Sequence, residues 1–330
     1  MHYRTFGSTS LQVSEIGFGA WGIGGAAMAG DIPIGWGRTE DSVSKAALHA
    51  AFDRGINFYD TADFYGLGRS ETLIGEVFGD RSDVVIATKV GHRLAAHGAI
   101  VLDYSKDYIL EACAQSLFRL RRNCIDFYQL HTAKVADLEK GECVEAMEQL
   151  KQEGKIRYWG ISINTFLPEP EADWILRHKV GHGFQLVLNL LNQKSRPLLE
   201  GMQKAGYGVI ARMPLQFGLL TGKFDQSTRF ETNDHRSFRL PPQVLKETLH
   251  ALEPAWPLAE KYGISKTGLA LSFILSHLEV STVIPGIKNP EQALDNTTGL
   301  VALSASDKAF LQKLYDERFA PLIPFLQKEG

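Results

Sequence analysis

Gly17-Phe18-Gly19-Ala20-Trp21-Gly22 has the spacing G-x-G-x-x-G, and the way it is read decides between two architectures. A dinucleotide fingerprint needs a helix that starts at its glycines, so that phosphates meet the helix N-terminus. It also needs an acidic residue closing a second strand about 20 positions later. Neither is present. Gly24, Gly25, Gly30, Asp31, Pro33 and Gly35 follow, a composition that cannot hold a helix. The six residues therefore read as a strand running into a glycine-rich loop, which argues for a closed barrel over an open doubly wound sheet.

Outward from this loop, short apolar runs alternate with helical patterns. An opening hairpin is expected around residues 4–6 and 12–14, and strands at 16–18, 57–60, 84–89, 125–130, 157–162, 184–188, 209–212 and 282–285. Between them, residues 41–54 place Val43, Ala47, Ala50 and Ala51 on one helical face, with Thr39 to cap the start and Gly55 beyond the end. Residues 143–153 repeat the pattern with Val144, Met147 and Leu150, ended by Gly154. Regular alternation implies parallel strands joined by helical crossovers. The expectation is one domain over residues 1–330, an α/β single (β/α)₈ TIM barrel with an N-terminal β-hairpin and extra C-terminal helices.

A chain of 330 residues with 44% hydrophobic and 22% charged content can bury the core that this fold requires. A net charge of -3 leaves no electrostatic footprint for nucleic acid. Neither a cleavable leader nor an apolar run of membrane-spanning length is visible, so a cytoplasmic protein with no membrane partner is expected. Cys113, Cys124 and Cys143 are odd in number, lie in expected helices or strands, and lack metal-ligand spacing. They read as buried thiols in a reducing compartment, with no metal site. Oligomeric state stays open.

In such a barrel the chemistry sits where strands end at their C-termini. Asn57-Phe58-Tyr59-Asp60 ends in a carboxylate, Val84-Val85-Ile86-Ala87-Thr88-Lys89 in an ammonium, and Phe127-Tyr128-Gln129-Leu130-His131 in an imidazole; Tyr65 follows Asp60 on the loop. Taken singly, each has a structural reading: a turn cap for Asp60, a solvated cation for Lys89, a core hydrogen bond for His131, loop packing for Tyr65. Taken together, consecutive strands bring three of them to one rim, where buried opposite charges pair. An ammonium beside a phenol favours the phenolate and makes Tyr65 a usable proton donor, with Asp60 holding Lys89 and His131 orienting a carbonyl oxygen. No side chain here delivers hydride, so a nicotinamide cofactor must.

Phe58-Tyr59-Asp60-Thr61-Ala62-Asp63-Phe64-Tyr65-Gly66, Ile86-Ala87-Thr88-Lys89 and Tyr128-Gln129-Leu130-His131 resemble, in order, the Asp/Tyr, lysine and histidine signatures of the aldo-keto reductase superfamily. The resemblance runs over essentially the whole chain. It implies an NADPH/NADP⁺-dependent oxidoreductase that reduces small aldehydes and ketones to alcohols. It also implies a cofactor cradle: Trp21 and Asp60 beside the nicotinamide, and Ser162 and Gln185 on its carboxamide. Pro214, Leu215, Gly218 and Lys223 would wrap the pyrophosphate, and Gly286, Lys288, Gln292 and Asn296 the adenosine end, next to Asp295. Lys288 and Arg236 would face a 2′-phosphate.

Two positions depart from the family pattern, with Arg212 where relatives carry a stacking aromatic residue and Ile163 where they carry Asn. Arg212 is planar and can stack in the ring's place. Apolar loops at 22–38, with Trp21, Met28, Ile32, Ile34 and Trp36, and at 224–241 point to a hydrophobic or aromatic carbonyl, whereas His92 and Arg93 offer an anion site. Two other readings use the same barrel: a cofactor-binding regulatory subunit like the potassium-channel β subunits, and an isomerase or aldolase with Lys89 as Schiff-base nucleophile.

Overall fold

In the computed structural model, which describes residues 1–232 and 234–328, the apolar runs form strands close to their expected places. In chain order these are β1 (Tyr3–Thr5), β2 (Gln12–Ser14), β3 (Phe18–Gly19), β4 (Met28–Ala29), β5 (Ile32–Pro33), β6 (Phe58–Asp60) and β7 (Val85–Val90). They continue as β8 (His92–Leu94), β9 (Ile100–Leu102), β10 (Ile125–His131), β11 (Ile156–Ser162), β12 (Gly183–Val187), β13 (Gly208–Arg212) and β14 (Thr282–Val283). Asn233, within the expected 224–241 loop, and residues 329–330 lie outside the described residues.

Eight strands, β3, β6, β7 and β10 to β14, pair in parallel in chain order. Parallel bridges from Ile16 to Val283 and from Gly19 to Gly286 close the first strand onto the last. The result is the expected (β/α)₈ fold. Its seam is tight: a Cβ on Gly19 would lie 2.8 Å from the Ile284 carbonyl oxygen. After the seam, Gly22–Gly24 makes a 3₁₀ turn and β4 and β5 a small antiparallel hairpin, with no phosphate-binding helix. The glycine match thus serves close backbone approach. β14 is shorter than the expected 282–285 because Pro285 has no N–H with which to continue the ladder.

The hairpin β1/β2 brings Phe6 beneath the barrel, edge-on to Phe127 with centroids 4.8 Å apart. Gly183 and Gly208 leave room for that ring, since a Cβ on either would sit within 2.6 Å of it. Phe58, Val85, Ala87, Phe127 and Ile210 fill this end of the interior. The period of two along each strand then aims Asp60, Lys89, Gln129 and Gln185 at one another in the opposite half. A register slip of one residue would turn these groups out into the helix layer.

The helix Asp41–Asp53 corrects the reading of its face. Ser44, Ala47, Leu48 and Ala51 are buried, whereas Val43 is turned out to 43% exposure. Nor does Thr39 cap it: its hydroxyl accepts from the Arg69 guanidinium at 3.0 Å. The helix Glu142–Gln152 buries Cys143, Ala146, Met147 and Leu150. All three cysteines are free, but Cys124 is half-buried in the turn before β10 and not inside an element. Ala305–Leu314 and Ile323–Lys328 are among the extra C-terminal helices. Among the described residues, no helix is long and apolar enough to cross a membrane.

Candidate active site

At the C-terminal ends of the strands a cavity of about 710 Å³ opens between the barrel rim and its loops. Lys89 lies directly behind it, fully buried, and all three of its ammonium protons are used. Nζ donates to Asp60 Oδ2 at 2.6 Å, to the Thr61 carbonyl at 2.7 Å and to the Tyr65 hydroxyl at 3.4 Å. Burial is the largest influence on this amine and pulls its pKa down, but Asp60 and Tyr65 outweigh it and the net direction is upward. Lys89 is therefore a fixed cation, as a buried charge with a complete set of partners should be.

Tyr65 faces the cavity in a cage of rings. Trp21 stacks on it at 5.9 Å, and the His131 imidazole meets it edge-on at 6.1 Å. Burial foremost, then competition with the neighbouring His92 for a proton and the positive charges of Lys89 and Arg212, hold His131 well below the usual imidazole range, so the ring is neutral. Its Nδ1 is buried without a partner, which leaves Nε2 as the nitrogen available to the cavity. A hydroxyl backed by a cation, beside a neutral imidazole, is an arrangement that can donate protons to one oxygen atom.

From this centre the cavity runs past Gln185, Arg212, Pro214, Leu215, Gly218 and Lys223 to Gly286, Lys288, Gln292 and Asn296. Its wall after β13 is a run of tight turns, with left-handed φ at Met213, Gln216 and Phe217. Asn189 holds that run, its amide donating to the Met213 carbonyl and to Gln216 Oε1, both at 2.9 Å. On the far side Asn289 caps the helix Pro290–Thr297, and Gln292 Oε1 accepts from the Lys288 N–H at 2.7 Å. Lys223 and Asp295 meet across the mouth at 3.5 Å.

A family model described as "Aldo/keto reductase family" matches residues 15–316. This chain belongs to the aldo/keto reductase family. It is 32% identical over 300 residues to an uncharacterized oxidoreductase of Bacillus subtilis, YqkF, with 90% of each chain covered. It is 29% identical to a putative voltage-gated potassium channel subunit beta of Schizosaccharomyces pombe, over 97% of this chain and 94% of that one. The solved glycerol dehydrogenase AKR11B4 of Gluconobacter oxydans superposes with a TM-score of 0.79 at 28% identity, over 96% of this chain and 95% of that one.

In this aldo/keto reductase the four expected catalytic positions come together, but two expected cradle residues are placed differently. Ser162 is buried at the end of β11 and does not line the cavity. Gln185 does, yet its amide points inward, donating to Asp60 Oδ1 at 2.7 Å and to Gln129 Oε1 at 3.1 Å. Gln129, from the middle of β10, also donates to Asp60 Oδ1 at 3.1 Å. It went unnoticed in the sequence because it precedes the strand end, although its inward parity with His131 was a usable signal.

Arg212 donates to the Ile163 carbonyl and Thr165 Oγ1 at 3.1 and 3.0 Å, and its Nε is buried without a partner. Burial, its largest influence, lowers its pKa. Arg236 clamps Asp234 and lies over the Trp36 and Phe230 rings at 5.1 and 4.8 Å. Lys288 runs over Gly22 and its ammonium donates to the Trp36 carbonyl at 3.4 Å, with Arg236 close enough to help burial lower its pKa. The expected anion site at His92 and Arg93 does not form. Arg93 turns away to Asp103 at 3.2 Å, and burial, with the Lys89 charge adding to it, holds His92 at a pKa of about 4, hence neutral.

Proposed function

We propose that the chain, acting as a single unit, is an NADPH-dependent carbonyl reductase in which Tyr65 donates the proton. The observation that carries this reading is the Lys89 ammonium, locked on Asp60 at 2.6 Å and donating to the Tyr65 hydroxyl at 3.4 Å.

The residues present suit a nicotinamide dinucleotide. The cavity is long, its size falls within the usual range for cofactor sites, and it passes from the Tyr65 cage to a distal half lined by Lys223, Lys288 and Arg236. When bound, the cofactor supplies hydride. Lys223 would neutralise pyrophosphate, Lys288 with Arg236 would face a 2′-phosphate, and the capped start of Pro290–Thr297 with Gln292 and Asn296 would hold the adenosine end. Gln185 can offer the carboxamide only its Oε1, because its amide protons are already directed to Asp60 and Gln129. Arg212 would lie beside the nicotinamide ring.

His131 holds the carbonyl oxygen through Nε2 and polarises it, and Tyr65 protonates that oxygen as hydride reaches the carbon. Asp60, held by both glutamines, keeps Lys89 charged and in place through the cycle. Phe64, Ile100, Phe166, Phe238 and Leu326 line the substrate end, and support a small carbonyl carried on an apolar body. The Schiff-base reading is disfavoured by the upward shift and complete hydrogen bonding of Lys89, since a nucleophilic amine must be neutral and free. The intact centre likewise favours chemistry over a purely regulatory role. Three free thiols suit the cytoplasm.

The test is a spectrophotometric screen of aldehydes and ketones with NADPH and with NADH. Oxidation of NADPH dependent on a carbonyl substrate is expected. Tight NADPH binding without turnover of any carbonyl would favour the regulatory reading instead.

A further inference from the structure

Arg212 ends β13 on the cavity wall, and it is a cation without a counter-ion. Its guanidinium reaches only neutral acceptors: the Ile163 carbonyl at 3.1 Å, Thr165 Oγ1 at 3.0 Å and Met213 Sδ at 3.2 Å. Nε is buried without a partner, and among the described residues no carboxylate forms an ion pair with the group. An arginine does not shed its charge by losing a proton. A charge that has lost its water and gained no opposite charge is costly, and such a cost is kept where it serves a site.

The surroundings leave that charge standing. Arg212 is close enough to Tyr65, Asp60 and His131 for their charges to influence one another. Asp60, however, is already neutralised by Lys89 at 2.6 Å, and the His131 ring is neutral. Arg239 lies over the Phe217 ring at 5.3 Å, lines the same cavity and adds a second positive charge that reaches Arg212. The cavity wall beside the reacting centre is therefore positive on this side.

We propose that Arg212 makes the site selective for the reduced form of its nicotinamide cofactor, by holding a fixed positive charge beside a ring that is neutral when reduced and positive when oxidised. The proposal rests on the reductase reading. Reacting atoms must approach to about 3–3.5 Å, so a ring that gives hydride to the carbonyl held by Tyr65 and His131 lies within the field of Arg212. NADPH and NADP⁺ share their adenosine and phosphate groups, and those contacts cancel in a comparison of the two. What remains is one unit of ring charge. Hydride leaves the reduced ring for the carbonyl carbon and the Tyr65 proton goes to the oxygen. The oxidised ring then repels Arg212, which favours its release.

Equilibrium binding, read by calorimetry, tests this without turnover. The native protein should bind NADPH about tenfold more tightly than NADP⁺, or better, the effect of one fixed charge in a partly screened site. For a two-electron couple, a tenfold preference raises the potential of the bound cofactor by about 30 mV. Arg212→Met should bring the two dissociation constants together, because any loosening of the Ile163 and Thr165 contacts affects both forms alike. Arg212→Lys keeps the charge and should keep most of the preference. Phospho-ADP-ribose, which carries the phosphates but no nicotinamide ring, should bind the native protein and Arg212→Met equally well.

Equal native affinities for the two forms, or a preference that survives in Arg212→Met, would overturn the proposal and leave the reductase reading standing. So would a loss of phospho-ADP-ribose affinity in that variant, which would assign Arg212 to the phosphates. Should neither variant fold, the native protein decides with a tetrahydronicotinamide analogue of NADP⁺, whose ring is neutral and gives no hydride. It should bind as NADPH does, and binding as weak as that of NADP⁺ would overturn the proposal. Failure of every one of these dinucleotides to bind would sink the reductase reading itself, and the selectivity with it.

Discussion

Gln185 donates to Asp60 across the barrel at 2.7 Å, although 125 positions separate them in the chain. With Gln129 on the same oxygen and Lys89 on the other, the carboxylate has no freedom to turn. Asp60→Asn removes the counter-charge of a fully buried ammonium, and breaking a buried pair from one side costs about 3–5 kcal/mol. The thermal midpoint should fall clearly and kcat with it. Gln185→Leu keeps the charge pair and should cost only about 1–3 kcal/mol, the desolvation of what loses its partner. Equal losses of stability in the two variants, read by urea unfolding, would contradict this ranking.

Tyr65→Phe keeps the ring between Trp21 and His131 and deletes the hydroxyl bonded to Lys89. Turnover should drop by about 10²–10⁴, the range for losing a positioned acid. The NADPH dissociation constant, measured by fluorescence, should change little. Turnover within tenfold of the native enzyme would remove Tyr65 from the proton path.

Lys288 packs so closely over Gly22 that a Cβ there would lie 2.5 Å from its Cγ. Gly22→Ala should therefore displace the lysine without changing its charge, and Lys288→Met should delete the charge outright. Both are expected to raise the KM for NADPH more than that for NADH, with kcat largely kept. A uniform rise for both cofactors would place Lys288 away from the 2′-phosphate.

Burial, as the largest cause, lowers His92, His235 and His277 to about 4 from an ordinary 6.5. Between those values the unfolded chain binds protons that the folded chain refuses, so stability is full above about pH 6.5 and is lost as pH falls through the window toward 4. Urea midpoints should decline over that range. His277 hydrogen-bonds the Phe273 carbonyl at 3.0 Å in the helix layer, outside the residues lining the cavity. His277→Phe should reduce the slope of stability against pH by about one proton in the same window. An unchanged slope would show that His277 titrates normally.

Asp60, Lys89 and His131 were legible because each closes an apolar run, and strand ends of a barrel form its rim. Gln129 was not, since a polar residue inside a strand looks like a break in the pattern until its partners on other strands are known. The same limit misplaced His92, expected with Arg93 in an anion site: nothing near it in sequence shows that Gly91 would lay its ring on a histidine 39 positions away. Val43 and Thr39 failed for a different reason. Local periodicity marks a stripe, while the angle at which the helix meets the sheet chooses which edge of the stripe is covered.

By itself the amino-acid order determined the alternation of strands and helices, the closed barrel, and the types of group gathered at its rim, because hydrophobic period and chain punctuation are local properties. Tertiary structure alone decided which partners those groups take: Gln185 turned to Asp60, Arg212 tied to the Ile163 carbonyl, Lys288 laid over Gly22, and His92 stacked flat on His131. Such choices depend on distances of a few ångströms between segments far apart in the chain, and strand register and loop closure set those distances.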